Sequence, residues 1–275
     1  SPTLFPPAEF PMSNKRFENQ VAVVTGAGRG IGEAIAKRLA AEGAKIAVVS
    51  RTEANSAKVA DAINALAPDT AKPYAVDVAD FDAVQKAGDQ ILADFGRCDI
   101  LVNNAGVAWG AEFEDFPEAG WDKVMDLNVK GPFFLTQALY PQLKAAASKG
   151  QPAKVINIGS IDGIRLNPWE TYSYHASKAA ILYLTKRMAA RLIQDQINVT
   201  AIAPGAFASD MNRAARDHAD AVAQNIPNKR IGVAEDMAAA AIFLASNAGN
   251  YVVGDTITVD GGVAHANIGS PSIDA

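Results

Sequence analysis

Two kinds of apolar pattern alternate along this chain. Short runs that are apolar at every position, rich in valine and isoleucine, are separated by stretches where apolar residues return every three or four positions. Val21-Ala22-Val23-Val24 is the first such run and offers no polar face, as a parallel strand covered on both sides requires. Further strands are predicted at 45–50, 74–76, 99–103, 155–158, 199–202 and 256–259. Helical spacing lies between them. Ile31, Ile35, Ala36 and Leu39 mark the first helix, and others are predicted at 55–66, 81–95, 121–149, 171–195, 213–225 and 235–245. Pro132 marks a helix start or a kink within 121–149. Strict alternation of strand and helix predicts an α/β fold: a doubly wound, Rossmann-type parallel sheet of about seven strands, with helices on both faces.

No Pro/Gly/Ser linker interrupts 17–262, so that span is expected to form a single domain. Residues 1–16 hold Pro2, Pro6, Pro7 and Pro11 and read as an extended tail, with Met12 as an alternative start. Residues 263–275 form a C-terminal tail. Composition narrows the function. The 275 residues are 49% hydrophobic and 20% charged, enough for a large core. Net charge is −5 and the basic residues are dispersed, which excludes the basic stripe of a nucleic-acid binder. A single cysteine, Cys98, excludes an intramolecular disulfide and a thiolate metal cage. His175, His218 and His265 lie too far apart in sequence to form a ligand pattern, so no metal is expected. No apolar run approaches the roughly 18 residues of a membrane span, and the first residues lack the features of a signal peptide. The expected location is cytoplasmic.

The first strand runs into Thr25-Gly26-Ala27-Gly28-Arg29-Gly30-Ile31-Gly32. Ile31 stands where a G-x-G-x-x-G loop would have its third glycine, so the pattern is T-G-x-x-x-G-x-G, with Gly26, Gly30 and Gly32. Glycine at a strand-to-helix turn permits positive φ, lets a pyrophosphate approach the backbone and sets that anion on the helix N-terminus. A tight turn alone would need only one glycine. At the end of the second strand, an NAD site usually presents an acid to the ribose, whereas an NADP site tolerates or uses a cation. Here stand Ser50-Arg51-Thr52, with Arg29 in the glycine loop, and two arginines suit a 2′-phosphate. NADP(H) is the expected cofactor. Asp77 and Val78 end strand three, Asn104, Ala105 and Gly106 follow strand four, and Pro204 and Gly205 follow strand six. Ligands lie outside the carboxyl ends of such strands, so all of these belong at the cleft.

After the apolar run 155–158 comes Ser160; Tyr174 follows fourteen positions later and Lys178 one helical turn beyond. A phenol titrates near about 10, and an adjacent ammonium lowers that value, making an acid or base usable at neutral pH. A buried tyrosine with a surface lysine four positions away is the structural alternative. Tyr172 competes for the acid role, but Ala176 stands where its lysine would be. Asn128 lies within an apolar helical stretch, where it bends the helix or bonds to a neighbouring one.

In this order and spacing, T-G-x-x-x-G-x-G, N-N-A-G, Asn128, Ser160, Tyr-x-x-x-Lys and Pro-Gly resemble the short-chain dehydrogenase/reductase family over roughly 18–262. The segments NNAGVAWG, GWDKVMDLNV, INIGS and INVTAIAPG are most similar to its 3-oxoacyl reductase branch, including the rhamnolipid-pathway members. The resemblance implies hydride transfer between NADP(H) and a carbonyl or alcohol substrate. Tyr174 would be the general acid/base, Lys178 would lower its pKa and hold the nicotinamide ribose, and Ser160 would bond the substrate oxygen. Asn128 would hold a water that relays protons to Lys178. Ser209 stands where the family often has a threonine bonding the nicotinamide carboxamide, and keeps the hydroxyl.

The expected substrate wall comprises Ala108, Trp109, 164–169 and a mobile stretch, 207–227, with Trp109, Leu166, Trp169 and Phe207 favouring an apolar or cyclic ketone or an acyl chain. Asp195 falls near a position that is basic in carrier-docking relatives, which with the negative net charge disfavours a carrier-bound substrate. The family also implies a homotetramer built partly on helices 121–149 and 171–195, which are apolar around most of their circumference. A non-enzymatic NADP(H) sensor and an NAD-linked sugar or polyol dehydrogenase are the alternatives.

Overall fold

The apolar runs stack side by side as strands. In the computed structural model, which describes residues 15–209 and 212–267, they are β1 (Val21–Thr25), β2 (Lys45–Ser50), β3 (Ala71–Ala75), β4 (Ile100–Asn103), β5 (Ala153–Ile158), β6 (Ile197–Pro204) and β7 (Thr256–Val259). The seven strands form one sheet in the order β3-β2-β1-β4-β5-β6-β7, every pair parallel. Strand order reverses between β1 and β4, and that switch point is where a doubly wound sheet opens a crevice.

Every residue of β1 is buried, and alternate side chains feed separate cores. Ala22 and Val24 face a layer with Ile35, Leu39, Met237 and Leu244, built from α1 (Gly30–Ala41), α2 (Glu53–Leu66) and α9 (Ala234–Ala245). Val23 faces Ile91, Leu139, Leu143 and Met188, from α3 (Phe81–Phe95), α5 (Gly131–Ala146) and α6 (Tyr172–Leu192). Polar groups inside this second layer are paired. Asn103 donates to Asn157 Oδ1 at 2.9 Å, and Asn157 donates to Thr185 Oγ1 at 2.9 Å. These bonds tie β4, β5 and α6 together without leaving a buried amide unsatisfied.

Three expectations change. Strand three begins at Ala71 rather than 74, with Pro73 inside it; β3 is an edge strand, where proline's missing N–H is tolerated. The single helix expected at 121–149 is α4 (Glu118–Met125), a π-helical turn (Asp126–Lys130) and α5, with Pro132 in the first turn of α5. The stretch 213–225 forms two short helices, α7 (Arg213–Asp217) and α8 (Ala219–Gln224). Most of the N-terminal tail and the end of the C-terminal tail, 1–14 and 268–275, lie outside the described residues.

Candidate active site

The glycine loop leads from β1 into α1. Gly26 and Gly30 have φ of +62° and +59°, values only glycine adopts without strain. A Cβ placed on Gly30 would meet nothing within 4 Å, so the loop faces open space there. Arg29 precedes α1 in extended backbone, and no side chain caps the helix. Ile31 lies in that uncapped first turn, so its main-chain N–H groups face the same way as an incoming anion would need. Gly32 packs close to the loop, where a Cβ would come within 2.4 Å of the Gly26 carbonyl oxygen. Thr25 Oγ1 accepts from the N–H groups of Asn104 and Ala105, both at 3.0 Å, and Asn104 Nδ2 donates to the Thr25 carbonyl at 3.1 Å. The loops after β1 and β4 are thus one rigid unit. Thr25 was not singled out from sequence, although it opens the glycine motif.

Ser50 and Arg51 end β2 beside this loop. Ser50 Oγ donates to the Thr52 carbonyl at 2.7 Å, while Arg51 is exposed and makes no ion pair among the described residues. Arg29 is also exposed. Asp77 accepts from Ala79 N–H at 3.0 Å, exposed beyond β3, and Val78 beside it is buried. Pro204 closes β6, and Gly205 N–H donates to the Val259 carbonyl at 2.9 Å. Ser209 Oγ accepts from Asn212 N–H at 3.0 Å. All of these lie at the carboxyl ends of the strands. Together they could hold a dinucleotide: a glycine cradle and an open helix N-terminus suit a pyrophosphate, and the exposed Arg51 guanidinium at the end of β2 suits a 2′-phosphate.

The second cluster is built on β5 and α6. Ser160 follows β5 and is buried, its Oγ accepting from Asp162 N–H at 3.1 Å in the 3-10 turn Ile161–Gly163. The Ser160 side chain also lies near enough to the Tyr174 phenol, in the first turn of α6, to act on its titration. Lys178 Nζ donates to the Ile158 carbonyl at 2.9 Å and lies 5.5 Å from the centre of the Tyr174 ring. Asn128 sits in the π turn and is buried; Nδ2 donates to Val107 O at 2.9 Å and to Ser177 Oγ at 3.0 Å, while Oδ1 accepts from Val107 N–H at 2.9 Å. A Cβ on Gly106 would lie 3.4 Å from Asn128 Oδ1 and 3.6 Å from Lys178 Nζ, so these groups share one neighbourhood. Asn128, Ser160, Tyr174 and Lys178 are therefore brought together. Ser177, missed from sequence, links Asn128 to α6 by donating to the Tyr174 carbonyl at 2.8 Å.

Electrostatics here follow burial. Burial pushes the Tyr174 phenol up to about 12; the Ser160 hydroxyl opposes this, and Asp162 adds a further upward push. Burial also brings Lys178 down to about 8, with Asp162 opposing. Withdrawal of water disfavours the charged form of both groups. Lys178, expected to depress the Tyr174 phenol, is not among the groups that shift it. Both Nδ2 hydrogens of Asn128 are also committed to protein acceptors, so the side chain is a strut and any water relay depends on its remaining acceptor positions.

Tyr172, the competing tyrosine, turns away. It packs edge-on against Phe113 and Phe116, with ring centres at 5.6 and 5.7 Å, and its hydroxyl donates to Glu170 at 2.8 Å. Of the expected wall, Ile164, Leu166 and Trp169 are exposed and Trp109 is half-buried. Phe207 is a correction. It is 6% exposed and packs in the core against Gly232, to which it forms a β-bridge, because the chain turns inward there after β6. The stretch 207–227 holds α7 and α8, while 210 and 211 lie outside the described residues. Asp195 is paired with Lys144 and Arg191, both at 2.8 Å, which hold its carboxyl well below the usual range. Its surroundings are therefore not acidic, contrary to the charge reading of that position.

Comparison with known proteins agrees with this arrangement. The short chain dehydrogenase family matches residues 20–220. The chain is 41% identical over 251 residues to the rhamnolipids biosynthesis 3-oxoacyl-[acyl-carrier-protein] reductase of Pseudomonas aeruginosa, covering 88% of this chain and 95% of that protein. A solved Pseudomonas aeruginosa RhlG/NADP active-site complex superimposes with a TM-score of 0.86 at 39% identity, covering 92% and 99% of the two chains. A gluconate 5-dehydrogenase from Burkholderia cenocepacia, in complex with NADP and tartrate, gives 0.83 at 35% identity, covering 91% and 97%. Matched by that family over most of its length and by relatives of about this similarity across nearly their whole chains, the chain belongs to the short-chain dehydrogenase family of oxidoreductases.

Proposed function

We propose that this protein reduces a ketone to a secondary alcohol with NADPH, reversibly, and that Tyr174 transfers the proton. The observation that carries this reading is the Tyr174 phenol near the Ser160 hydroxyl, with the Lys178 ammonium 5.5 Å from its ring centre. The phenol is protonated in the neutral range and so can donate; for the reverse reaction, the bound cofactor and the Lys178 ammonium would have to lower it toward neutrality. Ser160 would bond the carbonyl oxygen as charge develops on it, and Lys178 would hold the cofactor's ribose near Tyr174. The bound nicotinamide supplies the hydride, and the protein supplies position and electrostatics. Gly26, Gly30, Ile31 and Gly32 would cradle the pyrophosphate, and Arg29, Ser50 and Arg51 the 2′-phosphate. Asp77 and Val78 would border the adenine, and Asn104, Ala105 and Gly106 the ribose. Pro204, Gly205 and Ser209 would border the nicotinamide.

For substrate, an uncharged ketone of 3-oxoacyl or apolar type fits better than a carrier-bound thioester. Glu112, Glu114, Asp115 and Glu170 are exposed on the two loops joined by the Ala111 N–H to Glu170 carbonyl bond, and they repel an acidic carrier. A homotetramer is supported by a groove of about 390 Å³ between α5 and α6, lined by Phe133, Tyr140, Leu184, Met188 and Leu192. None of the described helices is long and apolar enough to cross a membrane; a cytoplasmic location is part of the same proposal.

The test is NADPH oxidation by the purified protein with ethyl 3-oxobutanoate and with acetoacetyl-CoA. The free ester is expected to be consumed at least as fast as the thioester, and NADPH to be preferred to NADH by about tenfold or more, equivalent to about 1.4 kcal/mol. Tight NADPH binding without turnover of any ketone would leave the sensor reading standing instead.

A further inference from the structure

Trp109 lies in the loop after β4, three residues beyond Gly106, and this loop is anchored at two places. Asn128 holds both main-chain groups of Val107. The Ala111 N–H donates to the Glu170 carbonyl at 3.2 Å, joining this loop to the one that precedes Tyr174. Between these two anchors the indole of Trp109 lies on α4. A Cβ at Gly120 would come within 2.7 Å of Cδ1, Cδ2 and Cε2 of that ring, so the indole lies across the helix backbone where glycine leaves room. Lys123, one turn later on α4, holds its Nζ 5.4 Å from the ring centre, within cation–π range. The ring is half-buried, on the loop that also carries Gly106 next to Lys178.

From this geometry we propose that Trp109 is the specificity-determining plate of the carbonyl cleft, and that Gly120 is the positioning residue that keeps it flat on α4. The proposal rests on the reductase reading above and adds the substrate class: ketones with a flat apolar group next to the carbonyl. Any side chain at position 120 must lift the indole off the helix. The main chain cannot retreat with it, because Val107 and Ala111 are fixed on either side. The displaced ring therefore takes up room at the mouth of the cleft, where a flat substituent would otherwise lie. Gly120 acts only through Trp109, which makes the pair separable from a general packing defect.

The experiment compares kcat and KM for ethyl 3-oxo-3-phenylpropanoate and ethyl 3-oxobutanoate with NADPH. It uses the wild type, Gly120→Ala, Trp109→Ala and the double variant, after a thermal melt shows each is folded. Gly120→Ala is expected to reduce the phenyl-to-methyl ratio of kcat/KM by about tenfold or more, mainly through KM for the phenyl ketone. Trp109→Ala removes the plate and should lower the same ratio. In the double variant the Gly120 substitution should have no further effect on selectivity. An unchanged ratio in Gly120→Ala, an equal loss for both ketones, or an undiminished Gly120 effect on the Trp109→Ala background would each overturn the proposal. If Gly120→Ala does not fold, Trp109→Ala alone decides: an unchanged ratio overturns the role of the plate. Wild type that turns over neither ketone fails the reductase reading itself, a result distinct from active enzyme without Trp109-dependent selectivity.

Discussion

Asn128 grips Val107 by both of its main-chain groups, accepting from the N–H and donating to the carbonyl, each at 2.9 Å. It can do so because the π turn at Asp126–Lys130 swings the amide out of the helix register and across to the loop after β4. The same amide bonds to Ser177 on α6, so one buried side chain joins the loop, the π turn and the helix that carries Tyr174 and Lys178.

Asn128→Ala should therefore loosen the site before it unfolds the protein. It leaves the Val107 N–H and carbonyl without partners, at about 1–3 kcal/mol. A fall in kcat larger than the loss in Tm implies, with NADPH affinity only mildly reduced, is the expected pattern. Steady-state kinetics beside a thermal melt will read it, and a full loss of folding would mean the clamp serves stability alone.

The two tyrosines are separated by substitution. Tyr174→Phe removes a hydroxyl near Ser160 and little volume. Ketone reduction should fall by roughly 10² to 10⁴, the range for a positioned general acid, while the NADPH dissociation constant changes little. Tyr172→Phe loses only a bond to exposed Glu170 and should retain most of its activity. Near-normal turnover in Tyr174→Phe would end the proposed proton route.

Cofactor choice rests on Arg51, exposed at the end of β2 without an ion pair among the described residues. In Arg51→Asp a carboxylate would face the 2′-phosphate. Loss of a charge-assisted bond costs about 1.5–3 kcal/mol, so NADPH should bind at least about tenfold more weakly while NADH binding survives. Fluorescence titration with both cofactors is the measurement. Unchanged NADPH affinity would shift the 2′-phosphate contact to Arg29.

Two buried lysines make stability depend on pH. Lys154, 3% exposed on β5, has no hydrogen-bond partner for Nζ among the described residues, and burial brings it down to about 8. Lys178 is likewise brought down to about 8. Below pH 8 both are charged whether folded or unfolded, and the folded state bears the full cost of burying them. Between about 8 and 10 the unfolded chain binds more protons than the folded one, so stability rises with pH. Above 10 the trend reverses, because Tyr74, Tyr174 and Cys98, all raised chiefly by burial, ionise when unfolded but stay protonated when folded. Lys154→Met should stabilise the protein at pH 7 by about 1–3 kcal/mol and flatten the rise above pH 8. Thermal melts from pH 7 to 10 will show both effects; an unaltered Tm at pH 7 would mean that Lys154 finds a partner in solution.

The sequence by itself determined the fold and pointed to side chains that the structure brings together around Tyr174. Strands buried on both faces must be apolar at every position, as in β1, and helices covered on one side must repeat near 3.6, as in α3 with Val84, Ala87, Gly88 and Ile91. Those are local consequences of burial and are written locally. Tyr174 and Lys178 were legible for the same reason, since one helical turn separates them. Tertiary structure decided what depends on contacts between distant segments. Phe207 and Trp109 look alike as aromatic residues after a strand, yet one packs on Gly232 in the core and the other on Gly120 at the surface of α4. The π turn at Asn128 carries its amide to Val107 and Ser177, partners 21 and 49 positions away that local spacing does not reveal. Lys154 is buried because its strand is interior, between β4 and β6, and its own residue type gives no hint of that. The titration of Tyr174 was the furthest from legible. The spacing sets an ammonium near a phenol, but only the packed site decides how much hydration each loses, and that loss raises the phenol.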